Sequence, residues 1–191
     1  MQLFLDIMIE ISFWAGISVF LYLGYIEIFC NGMPHFKTAP IVCDKIIDLI
    51  QEDIQDKGFE TYAVYELGSG FGGNARRIAK ALPDVKIVSI EIDRIAYAYA
   101  TIMAKIKRLD NLTFLRGNIF KLDLSDADAV VFYLSNGIMD RLGVKLRDEL
   151  PSKALIISNS FYLGDGWDAE HFIPVDTKYP EQLGLRLYRQ G

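Results

Sequence analysis

Cysteine and histidine are scarce, with two of each in 191 residues. Cys30 and Cys43 lack CxxC spacing, and only His35 and His171 could complete a metal site, so no metal is expected and free thiols in a reducing compartment are. Excess positive charge is also missing. The net charge is −5, which gives no general attraction to nucleic acid or to anionic lipid. No Ser-His-Asp arrangement, internal repeat or low-complexity stretch occurs. No Lys or Arg precedes Lys37, whereas Asp6 and Glu10 do, a pattern that argues against a cleavable signal peptide.

What is abundant is apolar sequence, 51% of the chain, enough for one substantial core plus an appendage. Residues Ile11 to Ile26 form an uncharged, largely apolar run. Leu3 to Ile9 extend it to spanning length if Glu10 lies near the membrane interface. A single membrane span is the expectation, against the alternative of a buried or dimer-forming helix. His35, Lys37 and Lys45 follow the run, so the positive-inside tendency sets the remainder of the chain on the cytoplasmic side. Asn31-Gly32-Met33-Pro34 should end the helix, giving an anchor over 1–30 and a globular domain over 31–191. Thr38-Ala39-Pro40 reads as a new helix start, with Thr38 as N-cap and Pro40 in the first turn.

From Tyr62 onward, strand and helix patterns alternate. Strands are expected at Ala63–Leu67, Val85–Ile90, Leu112–Leu115, Ala129–Leu134 and Ala154–Asn159. Helices are expected at Asn74–Leu82, Arg94–Leu109 and Ile138–Leu150, with an irregular connection over Ile119–Ser125. This order implies an α/β domain with a mostly parallel, doubly wound sheet. Phe172–Thr177 and Leu185–Arg189 have no helix between them and should form an antiparallel hairpin at one edge.

The first strand breaks into Gly68-Ser69-Gly70-Phe71-Gly72-Gly73 and then a helix. A loop without Cβ atoms ahead of a helix N-terminus lets backbone N–H groups approach a nucleotide-type cofactor. The glycine spacing also satisfies the dinucleotide fingerprint GxGxxG. Glu66, two residues before the first glycine, would repel a pyrophosphate but attract an ammonium group, which favours S-adenosylmethionine over NAD. Glu91 lies at the end of the second strand, 23 positions after Gly68, where a carboxylate accepts from ribose hydroxyls; either cofactor would use it. After the third strand, Asn118 either serves the adenine edge or makes an ordinary turn.

The stretch from Glu66 to Asn159 resembles class I, seven-stranded S-adenosylmethionine-dependent methyltransferases. Glu66-Leu67-Gly68-Ser69-Gly70-Phe71-Gly72 resembles their first motif and Glu91 their ribose acid. The resemblance implies a Rossmann-like sheet of order 3-2-1-4-5-7-6 with strand 7 antiparallel. A narrower likeness covers most of the chain. The N-terminal span, the Thr-Ala-Pro helix start, the glycine motif, Val130–Leu134, Leu146–Leu150 and Ser158–Phe161 resemble the small membrane-associated lysine methyltransferases of ATP synthase subunit c and of the adenine nucleotide translocase, with their bacterial relatives. Phe71 stands where that group commonly has Asp, and Asn118 where an acid is more usual.

Methyl transfer needs alignment of an acceptor more than a catalytic constellation. Cofactor-binding candidates are therefore Thr38, Glu66, Gly68, Ser69, Gly70, Gly72, Glu91 and Asn118. Tyr133 and Asn136, at the tip of the fourth strand, are the acceptor-side candidates, because open α/β sheets bind ligands beyond their strand C-termini. Phe161, Tyr162 and Trp167 either form an aromatic wall beside the acceptor or pack under the terminal hairpin. Arg76 and Arg77 should lie on the exposed face of their helix. The partners implied are a membrane and either a lysine of a membrane protein or a small hydrophobic molecule such as a lipid or quinone; a non-catalytic binding or assembly role is the alternative outside enzymology. The Leu134-Ser135-Asn136-Gly137 tip is not the Asn-Pro-Pro-Tyr of amino-methylating nucleic-acid enzymes, which counts against nucleic acid.

Overall fold

The computed structural model describes residues 2–29, 37–58, 61–176 and 184–191, and the chain divides into two compact units, Met1–His35 and Phe36–Gly191. The first unit contains helix α1 (Gln2–Phe29). Its segment Phe4–Gly24 has 21 residues, a mean hydropathy of 1.8 and no buried part. At about 1.5 Å per residue such a segment reaches about 32 Å, long and apolar enough to cross a membrane. α1 includes both Glu10 and Glu27, so the helix runs through the acids that bound the apolar run in the sequence. Ser12 and Ser18 each donate their hydroxyl to the carbonyl four residues earlier, Met8 and Trp14, which removes two polar groups from the helix surface.

The second unit opens with α2 (Pro40–Lys57), whose N-cap is Ala39, with Pro40 in the first turn and no side-chain cap. Thr38 lies one residue too early to cap it. Extended Ala39 followed by Pro at N1 starts the helix by backbone preorganisation alone. The remaining order is β1 (Ala63–Leu67), α3 (Gly73–Ala81), β2 (Lys86–Glu91), α4 (Arg94–Ile106), β3 (Leu112–Arg116), β4 (Ala129–Phe132), α5 (Met139–Glu149), β5 (Leu155–Asn159), β6 (His171–Pro174) and β7 (Gly184–Arg189). Short 3-10 turns occupy Ile119–Lys121 and Asn136–Ile138. The fourth strand ends at Phe132, two residues before the apolar run does. The sixth strand starts one residue before the expected Phe172 and ends at Pro174, so Val175 and Asp176 are not part of it, and Thr177 lies outside the described residues.

The seven strands form one sheet of order β3-β2-β1-β4-β5-β7-β6. β1 to β5 pair in parallel, and β7 pairs antiparallel with both β5 and β6. The central strands are continuous apolar runs because both faces are covered. Val64, Ile87 and Val131 join one core with α2 and α3, whereas Tyr65, Leu67, Val130 and Phe132 join a second core with α5. Alternation therefore puts Glu66 on the same face as Val64, toward α2 and α3. All C-terminal ends of the parallel strands meet at one edge of this layer, and the glycine loop hangs from the middle of it.

Candidate active site

The loop between β1 and α3 folds back over the tip of β2. The amides of Gly68 and Ser69 both donate to the Ile90 carbonyl at 3.0 Å, and Gly72 donates to Ser69 at 2.8 Å. Glycine is demanded at two points. Gly68 has φ +77°, and a Cβ there would meet Leu134 Cδ2 at 2.5 Å; Gly72 has φ +69°, and its Cβ would meet Phe114 at 2.5 Å and Ala100 at 2.8 Å. The first contact also shows that the loop sits directly against the segment following β4. The turn at Gly70, at φ +53°, completes a concave cradle of backbone.

Glu91 ends β2 and faces this loop. One carboxylate oxygen accepts from the Gly70 amide at 2.6 Å and the other from the Asp93 amide at 2.8 Å. It is buried. Asp93 in turn caps α4 by accepting from the Ala96 amide at 2.6 Å. These bonds fix Glu91 at the strand tip expected of a ribose acid, tied to the loop it would share a ligand with.

Glu66 behaves differently. It is buried, accepting from Ser89 at 2.7 Å and from the Asn74 amide at 2.8 Å. Burial raises its pKa, an effect opposed by the bonds from Ser89 and Asn74 and by the Ala75 backbone. The carboxyl therefore braces β2 and the first turn of α3 from within. Any influence on an ammonium group would pass through that turn. Cys43 of α2 contacts the same turn, its sulfur 4.0 Å from the Asn74 carbonyl. Its thiol is pushed up to about 12 by burial, with Glu66 adding to the shift.

Two polar atoms here have no partner among the described residues although they are buried: Ser69 Oγ in the loop and Asn74 Oδ1 behind it. Buried polar atoms are normally satisfied, so an orphaned hydroxyl in a glycine-rich cradle beside a carboxylate is an observation that fits a bound polar cofactor. Asn118 follows β3, and its side-chain oxygen accepts from the Phe120 amide at 2.9 Å, so the turn reading holds for its carbonyl. Thr38 is half-buried, just ahead of α2.

On the acceptor side, Tyr133 is half-buried and stacked on Phe161, with centroids 6.1 Å apart and planes at 17°. Asn136 is exposed at the start of its 3-10 turn. Sequence reasoning grouped Phe161, Tyr162 and Trp167, and the fold separates them. Tyr162 lies over the Arg186 guanidinium at 3.8 Å. Trp167 donates to the Gly143 carbonyl at 3.1 Å and packs edge-on against Tyr188, so it belongs to the core on α5. Arg186 was missed; it is buried, donates to the Ser160 carbonyl and has an Nε without a partner among the described residues. Its one sequence signal is a charge in the middle of the strand-like run Leu185–Arg189. Arg77 is exposed and paired with Asp44 at 2.7 Å, and Arg76 donates to the Phe71 carbonyl at 2.6 Å. Among the described residues no cluster suited to a metal ion occurs.

Comparison with known proteins agrees with this geometry. A protein-lysine N-methyltransferase of Saccharolobus islandicus is 28% identical over 146 residues, covering 75% of this chain and 86% of the relative. Among solved structures, an RNA methyltransferase of Salinibacter ruber in complex with S-adenosyl-L-homocysteine superposes with a TM-score of 0.69 at 26% identity, covering 81% of this chain and 93% of the other. A precorrin-6y C5,15-methyltransferase of Geobacter metallireducens shares the fold alone, with a TM-score of 0.55 at 14% identity over 82% of this chain and 94% of its own. The family model for the ANTKMT methyltransferase domain matches residues 66–171, from the carboxyl beneath the glycine loop to the first residue of β6. The chain belongs to that family, and its activity is of the S-adenosylmethionine-dependent methyltransferase class.

Proposed function

We propose that the protein methylates the side-chain amine of a lysine in a membrane protein, and that α1 holds it to that membrane as a single-pass anchor with the catalytic domain on the cytoplasmic side. The observation that carries this reading is the union, in one chain, of a methyltransferase domain of this family with a 21-residue apolar helix. The lysine methyltransferase relative supports the choice of acceptor. The net charge of −5 and the absence of an Asn-Pro-Pro-Tyr tip weigh against RNA, the acceptor in the name of the Salinibacter enzyme.

S-adenosylmethionine supplies a methyl group already activated on a sulfonium. Glu91 would take the ribose hydroxyls, the backbone of Gly68, Ser69, Gly70 and Gly72 would cradle the nucleoside, and Asn118 would serve the adenine edge through its amide. The methionine end would be closed over by Thr38 and steered by Glu66, acting through the Asn74 turn. Tyr133 and Asn136 would orient the acceptor amine. A lysine amine attacks only when neutral, so the half-buried aromatic pair Tyr133 and Phe161 serves the reaction by offering it a poorly hydrated site in which the uncharged form is favoured.

The test is incubation of the full chain with radiolabelled S-adenosylmethionine and isolated membranes, followed by separation of protein, lipid and RNA. Label should appear in protein and be recovered as methyllysine. Label confined to lipid, a quinone-type small molecule or RNA would overturn the acceptor while leaving the class intact.

A further inference from the structure

We propose that the outer face of α4, extended by Phe71 of the glycine loop, lies against the anionic surface of a membrane. The inference takes from the proposed function only the presence of a membrane; it does not depend on methyl transfer. α4 is an inverted amphipath. The residues it buries are Ala96, Ala100 and Ala104, whereas Ile95, Tyr99, Ile102 and Ile106 are 59%, 46%, 57% and 67% exposed. Spacings of four, three and four place those four large side chains in one stripe. Phe71, 45% exposed, meets Tyr99 edge-on at 5.6 Å, so the stripe continues to the mouth of the glycine loop. A contiguous exposed apolar surface of this kind marks an interaction site.

Charge identifies what covers it. Residues 94–121 contain Arg94, Lys105, Lys107, Arg108, Arg116 and Lys121 against Asp110 alone, a local net charge of +5 in a chain of −5. All six basic residues are exposed, and none is drawn into an ion pair among the described residues. A second copy of the chain would bring two such cationic surfaces together. An interface rich in anionic phosphates attracts the basic groups and accepts the apolar stripe at the boundary between headgroups and acyl chains.

The test uses the full chain with Cys30 replaced by Ser, carrying an environment-sensitive fluorophore on I102C or, as a comparison, on K80C of α3. Each protein is reconstituted with phosphatidylcholine vesicles, with or without about 30% phosphatidylserine, and flotation is followed in parallel. The label at 102 should shift to the blue and be quenched by doxyl lipids when phosphatidylserine is present. Both effects should fall several-fold on neutral vesicles or when NaCl rises from about 0.1 to 0.5 M, and the label at 80 should not respond. The combined variant K105E/K107E/R108E should lose the effect while its S-adenosylmethionine affinity, read by calorimetry, is unchanged. Flotation without a shift at 102 overturns this inference and leaves the anchor standing. A shift indifferent to lipid charge overturns it too, as does a shift without vesicles accompanied by doubling of the mass in light scattering, which would identify a second copy as the occupant. Loss of both flotation and shift overturns the anchor as well.

Discussion

Glu91 connects three backbones: its own strand, the Gly70 turn and the Asp93 start of α4. Changing it to Gln keeps the volume but replaces one acceptor by a donor facing an N–H group. Glu91→Gln should therefore weaken S-adenosylmethionine binding by at least about tenfold in calorimetry, the scale of a lost charge-assisted bond. Gly72 has no room for a methyl group and a backbone that disfavours one; Gly72→Ala should lower unfolding free energy by about 1–3 kcal/mol in urea. Glu66 carries a signed pH dependence. Its folded pKa is raised by burial, so its contribution to stability is complete below the unfolded value, about 4.3, and is lost as pH rises through the higher folded value. Urea unfolding across this range should show that slope in the native chain, and Glu66→Gln should flatten it. Cys43, with its thiol pushed up to about 12, should resist alkylation at pH 8 until denaturant is added. The place of Glu91 at the end of the second strand was legible in the sequence, because the apolar run of that strand ends directly on it. The setting of Glu66 was not, because the direction of a side chain at a strand end depends on Ser89 and Asn74, which arrive from other elements.

At the scale of elements, the five parallel strands were readable to within about two residues because buried parallel strands are apolar throughout, whereas the exposed edge strand β6 ends three residues earlier than expected. The start of α2 was misplaced by one residue: a Thr before Ala-Pro looks like a cap, yet an extended residue followed by Pro needs none. α4 was readable as a helix, but which of its faces would be covered was not, since large apolar residues ordinarily mark the buried side. α2 is held to the sheet by Asp53, buried and bonded to Tyr62, Lys57 and Arg189. Removing one partner of a buried charged cluster leaves the rest uncompensated. Asp53→Asn should cost about 2–4 kcal/mol in chemical denaturation and leave cofactor affinity unchanged, because none of these groups touches the glycine loop.

For the whole molecule, the two units predict separable behaviour. A chain lacking residues 1–35 should remain folded and bind S-adenosylmethionine, yet methylate the proposed membrane acceptor far more slowly than the full chain, a difference read by label incorporated per minute into membranes. The sheet order carries a further consequence for how this chain is made. Of the seven described strands β7 is synthesised last, yet it lies between β5 and β6, and Arg189 reaches back 136 positions to Asp53. Among the described residues β6 pairs with no other strand, so this sheet cannot close during elongation: translation must pass Arg189 before β6 has that neighbour or Asp53 has its arginine. α1 leaves the ribosome long before that, and it can meet a membrane while the domain behind it is still open. With α1 as the proposed anchor, attachment would come first and closure of the catalytic domain second.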